Sequence, residues 1–216
     1  MQDFFKLLLT IFAIYLIYTA LFYITKRIRA VSKLCELKKM CHAKINFVRS
    51  PFSSLFILSK KPDIIIEIDD DVYLIRFING KGSLRFLHFA SPEFFVTYSK
   101  THISLGSILR LGARGKSANS QSTSRQSVRI LPSLEIPENF ARQAARGEKR
   151  LAPVLIFSPA PNEITFVSES KTSIKPAFEG DDMYGQKIFT PSTFVTYTDR
   201  KHREKRLCEE DNFIWQ

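Results

Sequence analysis

The sequence predicts an α+β protein: an N-terminal transmembrane helix followed by one cytoplasmic domain with a largely antiparallel or mixed sheet and flanking helices. Three observations lead there. Leu7 to Ile24 is a run of eighteen residues without a charge. From Ala43 onward the chain breaks into short runs rich in Ile, Val, Phe and Tyr, parted by Pro, Gly, Ser and Asp. Two later segments, one opening at Pro137 and one near Ser192, carry helix start signals.

At about 1.5 Å per residue, the uncharged run spans roughly 27 Å as a helix, close to a hydrocarbon core of about 30 Å. Its Thr10 and Thr19 can return their hydroxyls to the helix's own carbonyls. A cleaved signal peptide calls for a basic n-region and small residues before the cut. The n-region here is "MQDFFK" and the run meets "TKRIR", so residues 1–25 are expected to be a retained anchor.

Orientation follows from Lys26, Arg27, Arg29, Lys33, Lys38 and Lys39, opposed by Glu36 alone. Lys and Arg stay on the cytoplasmic side, which puts the N-terminus outside and the main domain inside the plasma membrane. These six residues are the expected membrane-surface contacts, on a basic juxtamembrane helix over 26–42 whose apolar positions are Ile28, Val31, Leu34 and Cys35. Cys35, Cys41 and Cys208 form no disulfide framework.

The net charge of +11 resides in two places. Residues 26–42 carry six bases and one acid, and residues 94–134 carry six bases and no acid. The second patch centres on "LGARGKSANSQSTSRQS", which lacks apolar periodicity; a flexible basic loop is expected over 106–127. Arg110, Arg114, Lys116, Arg125 and Arg129 are candidate anion-binding residues there. "GARGKS" is not a phosphate loop, because Arg110 stands where the first glycine is required and polar coil follows Ser117.

The domain is expected over 43–207. "AKINFVR", "SSLFILS", "DIIIEID", "VYLIRFI", "LRFLHF" and "FFVTYS" read as strands. Turns are expected at Asp69-Asp70-Asp71 and at Asn79-Gly80, giving consecutive antiparallel hairpins. "PENFARQAARGEKR" starts with Pro137 and stops at Gly147. "APVLIFS" is apolar enough for a buried strand, "KIFT" reads as the last strand, Ser192 is the expected cap of a terminal helix, and 208–216 is a tail.

No complete catalytic set is present: there is no G-x-S-x-G and no H-E-x-x-H, and Cys35, Cys41 and His42 lack zinc spacing. Neither an enzyme nor a cofactor is expected. The hairpin "KPDIIIEIDDDVYLIRFING" resembles the metal-binding hairpin of the restriction-endonuclease-like superfamily, and "APVLIFS…KIFTPSTFVTYT" is similar to its closing strand–strand–helix order. The resemblance implies Asp63 as the first metal-binding aspartate, with Glu67 and Asp69 as further oxygen ligands. Its second strand reads Leu74-Ile75-Arg76-Phe77, without the carboxylate and lysine of that family. The expected function is a membrane-anchored interaction or scaffold domain whose basic segments meet anionic lipid or an anionic protein partner. The alternative is a degenerate nuclease fold that binds nucleic acid near the membrane.

Overall fold

The computed structural model describes residues 2–50, 59–80, 83–88, 94–100, 125–167, 174–183 and 185–214. It is α+β: a long apolar N-terminal helix, then a mixed six-stranded sheet with flanking helices, and a further five-stranded sheet. The chain divides into two compact units. Met1–Asn79, Leu134–Pro159 and Glu179–Gln216 form the first, and Gly80–Ser133 with Ala160–Phe178 form the second.

In the first unit, helix α1 (Gln2–Cys35) is unbroken, and a short α2 (Leu37–Met40) follows it. Thr10, Thr19 and Thr25 each donate their hydroxyl to the carbonyl four residues back, at 2.8 Å, so the apolar half hides its polar atoms within itself. Past Thr25 the buried positions are Arg27, Ala30, Leu34, Leu37 and Cys41, a three-four-three-four stripe. Ile28, expected on the apolar face, is 52% exposed. The segment 26–42 is therefore part of the core of this unit, not a helix lying apart from it.

The sheet of the first unit runs β1 (Lys44–Phe47), β2 (Ile64–Ile68), β3 (Asp71–Ile78), β7 (Arg150–Phe157), β11 (Gln186–Phe189), β10 (Asp182–Met183). β2 and β3 make the expected hairpin around Asp69-Asp70, with Ile66 opposite Tyr73. β3, β7 and β11 are parallel to one another, with Ile75 opposite Val154 and Leu155 opposite Ile188. Alternation then sorts the side chains. Ile64, Ile66, Tyr73, Ile75, Phe77, Val154 and Ile156 meet the α1 stripe on one face. Ile65, Val72 and Leu74 cluster on the other face with Phe140 of α3 (Glu138–Ala145). That helix follows Pro137 and stops where Gly147 takes φ +73°, as its sequence predicts.

The last helix, α4 (Pro191–Ile214), is capped by Thr190 and not by Ser192. Thr190 Oγ1 accepts from the Thr193 amide at 3.5 Å, Thr193 Oγ1 accepts from the Thr190 amide at 3.1 Å, and Pro191 needs no donor at the first position. Ser192 lies one residue inside, its carbonyl taken by Thr196 at 3.2 Å. α4 also continues through Cys208–Ile214, expected to be tail.

The second unit contains a sheet in the order β6 (Arg125–Leu131), β5 (Phe94–Lys100), β4 (Ser83–His88), β8 (Glu163–Val167), β9 (Ile174–Pro176). Only β4 and β8 are parallel. Two expectations change. β3 and β4 belong to different sheets, so Asn79-Gly80 is a passage between units and not a hairpin. Residues 125–127 belong to β6, with Arg125 opposite Lys100, and not to the basic loop. The expected strand "SSLFILS" lies outside the described residues apart from Ser59.

Phe194 joins α4 to the sheet: it is fully buried and edge-on to Tyr73 and Phe189, at 5.3 and 5.6 Å. Phe194→Ala is expected to destabilise the first unit by about 3–5 kcal/mol, read by denaturant unfolding in detergent. Leu207→Ala, at a position 60% exposed, is expected to shift it by less than about 0.5 kcal/mol.

Candidate functional site

Two charged constellations mark the first unit, one beside the foot of the apolar helix and one at the β2–β3 turn. At the helix foot, Lys26, Arg29, Lys38 and Lys39 are exposed, and Lys33 is half-buried and bonded to Glu36 at 2.6 Å. Lys26 also lies 5.6 Å from the Phe22 ring centre. Arg27 departs from this group. It is fully buried, stacked 4.2 Å over the Phe77 ring, and donates from Nη2 to Asn79 Oδ1 at 2.9 Å. Burial holds its pKa down to about 10, against the pull of Asp63. Arg27 is thus not a surface contact; the turn of the helix directs it inward with Ala30 and Leu34.

Asp63 precedes β2 and is equally buried. Its Oδ2 accepts the Phe77 amide at 2.9 Å, which caps the end of the β2–β3 ladder. Arg49 approaches Oδ1 at 3.7 Å, and Arg76 is buried alongside, donating to the Lys60 carbonyl at 3.2 Å. Burial raises the Asp63 pKa even though the Phe77 amide and three guanidinium groups, those of Arg27, Arg49 and Arg76, pull it down.

The acidic turn is fully engaged. Asp69 adopts φ +50°, a left-handed conformation that aspartate tolerates. Its carboxylate lies 2.7 Å from His202 Nδ1, and its carbonyl accepts from Lys149 at 2.5 Å. Asp70 accepts from Lys205 at 2.7 Å. Asp71 lies 2.6 Å from Lys201 and 3.0 Å from Arg150. Lys201, His202 and Lys205 all belong to α4, so three consecutive acids clamp the helix to the turn. Beside the clamp is a cleft of about 430 Å³, lined in part by Tyr73, Glu204 and Cys208. Burial, with the Asp71 charge, pushes the Tyr73 hydroxyl above its ordinary pKa.

The carboxylates that the nuclease resemblance implies as metal ligands do not come together. Asp63 and Asp69 flank the five residues of β2, about 20 Å apart at roughly 3.3 Å per residue. Glu67 is bonded to Asn46 at 3.1 Å and paired with Lys44 at 3.6 Å. Each carboxylate thus has its own partners, and no group of three or more His, Cys, Asp or Glu that could hold a metal ion is present among the described residues. Of the anion-binding candidates, Arg110, Arg114 and Lys116 lie outside the described residues. Arg125 and Arg129 are on β6, opposite Lys100 and Val96.

No family model, no curated protein and no solved structure matches the chain. Sequence reading missed Arg49 and the clamp residues Lys201, His202 and Lys205, and it missed the buried roles of Arg27 and Arg76. The signal for Arg27 was its place at the head of the 27-30-34-37 stripe. For the clamp there was only the spacing of Lys201 and Lys205, one turn apart.

Lys205 holds the Asp70 carboxyl below its ordinary pKa, first by its hydrogen bond and then by its charge. The pair therefore contributes stability above the ordinary carboxylate range, and this contribution is lost as pH falls through the depressed value. In Lys205→Met, carbonyl-detected NMR is expected to show Asp70 titrating higher, back toward its ordinary range. An unmoved titration would mean that the pair does not form in solution.

Proposed function

We propose that this chain is a single-pass membrane protein whose folded part is an interaction or scaffold module held rigidly at the inner leaflet of the plasma membrane, with the N-terminus outside. The observation that carries the reading is the continuity of α1. Its outer part is apolar with none of the spanning window buried, and the same helix then enters the core through Ala30 and Leu34. A signal sequence shares this length and apolar composition. What favours a retained anchor is that the helix does not end at the span. Lys26, Arg29, Lys38 and Lys39, left exposed by that packing, supply the contact with anionic lipid. The basic stretch 106–127 extends the contact or engages an anionic partner, and the reading contains no catalytic step.

The degenerate nuclease fold remains a second reading. It is favoured by one sheet that carries both the Pro62-Asp63 hairpin and the closing β7, β11 and α4. Arg76 in place of a lysine, and carboxylates with separate partners, leave it a grip on nucleic acid without cleavage.

Protease added to intact cells is expected to spare a tag at the C-terminus; its digestion would reverse the orientation. Full-length chain in the soluble fraction would remove the anchor. In reconstituted vesicles, replacing Lys26, Arg29, Lys38 and Lys39 by Gln is expected to weaken association with anionic, but not neutral, lipid. Changing Arg110, Arg114, Lys116 and Arg125 to Ser is expected to flatten the salt dependence of anion binding. DNA binding that survives where vesicle binding fails would favour the second reading.

A further inference from the structure

The exit turn of α1 is bonded to both strands that lead out of the first unit. Arg27 donates to Asn79, the last residue before the chain passes into the second unit at Gly80. Ser158, one residue before the second passage at Pro159, donates its hydroxyl to the Lys26 carbonyl at 3.3 Å and its amide to the Ile78 carbonyl at 2.9 Å. A single turn of helix thus holds the departure points of two chain segments.

The same turn holds an unclosed ion pair. Among the described residues, Arg27 Nε and Nη1 have no hydrogen-bond acceptor, and Asp63 Oδ1 has no hydrogen-bond donor and only the ionic approach of Arg49 at 3.7 Å, although both residues are almost wholly buried. Buried donors and acceptors are almost always satisfied, and an orphaned charged group is the costliest exception. The two are complementary: a cation with two unbonded nitrogens and a carboxylate oxygen that no hydrogen bond reaches. They feel each other's charge without being bonded. The Asp63 carboxyl is still held above its ordinary pKa, whereas a closed pair with Arg27 would pull it down.

We propose that the exit turn of α1 is a two-position latch: Arg27 bonds Asn79 in the position described here and closes on Asp63 when the membrane helix shifts, so that movement of the span reaches the two passages at Asn79 and Ser158. The second position satisfies both orphans and gives up the Asn79 bond. The two positions therefore exchange one set of polar contacts for another, which is what a bistable element requires. The stimulus is a change in bilayer thickness or helix tilt, because α1 is continuous from the span to Arg27 and carries displacement without a hinge. Coupling to the bilayer rests on the anchor reading; the choice of Arg27 between Asn79 and Asp63 does not.

The test is the side-chain Nε–H signal of Arg27 in the full-length, arginine-labelled protein in lipid nanodiscs. Asn79→Ala removes the acceptor of the first position and is expected to move the signal downfield, as a bond to a carboxylate does. Adding Asp63→Asn is expected to reverse that shift. Asp63→Asn alone removes the acceptor of the second position and is expected to abolish the difference between thin and thick bilayers, which keeps the latch falsifiable if the alanine variant fails to fold. In the wild type, nanodiscs of short-chain and long-chain lipid are expected to give different positions along the same line. A signal unmoved by Asn79→Ala, or a shift that persists with Asp63→Asn, overturns the latch. Identical wild-type signals in thin and thick bilayers overturn its coupling to the membrane. Repeating the Asn79→Ala comparison in detergent micelles reads the latch apart from the anchor, so failure of one is distinguishable from failure of the other.

Discussion

One unbroken helix runs from a stretch that is apolar on every side into the packed core of the first unit. The N-terminal half of α1 presents Leu, Ile, Phe and Tyr on all sides, and protein buries none of its apolar stretch. The C-terminal part of α1 and the short α2 after it bury a single stripe, Ala30 through Cys41, against Ile64, Ile66, Ile75 and Phe77. No glycine or proline interrupts the change. Because the packing of that C-terminal part fixes the rotation of the helix, it also decides which basic residues at the exit face solvent and which turns inward. The six-stranded sheet, the exposed lysines and the buried Arg27 all depend on that one docking.

The opposite end of the β2–β3 hairpin is secured by different physics. Three successive aspartates in a turn would repel one another if left alone. Here His202, Lys205, Lys201 and Arg150 each meet one of them. Most of these groups are at least partly in contact with water, so the clamp's value is in direction more than in energy: it sets where α4 crosses the sheet. The apolar contribution comes from Phe194, about two to three turns earlier along the same helix, where it packs on Tyr73 of β3 and Phe189 of β11. A hairpin that resembles a metal-binding one is, in this molecule, the receptor for a helix.

The mixed sheet explains a misleading feature of the chain. "VYLIRFI" and "LRFLHF" are consecutive β-type runs separated by "NGKGS", whose Asn-Gly is a hairpin signal. β3 instead takes β7 as its parallel neighbour, more than seventy residues later, along its whole length from Asp71–Arg150 to Ile78–Phe157. The apolar run Val154–Phe157 is buried on both faces, which only a central strand can be. Long-range pairing won over the local turn because it removes more apolar surface from water.

Local chemistry was legible in the chain itself: a span long enough for a bilayer, strands at Ile64–Ile68, Asp71–Ile78 and Arg150–Phe157, and a helix bracketed by Pro137 and Gly147. Each of these is set by interactions within a few residues, through periodicity, capping and turn preference. Partnership was not legible. That Arg27 faces Phe77 and not the lipid surface, that Asp63 and Asp69 serve opposite ends of one strand, and that α4 reaches back to the acidic turn are contacts across 50 to more than 130 residues of chain. A single sequence records that such groups are charged or apolar; only burial of the whole sheet decides which of them meet.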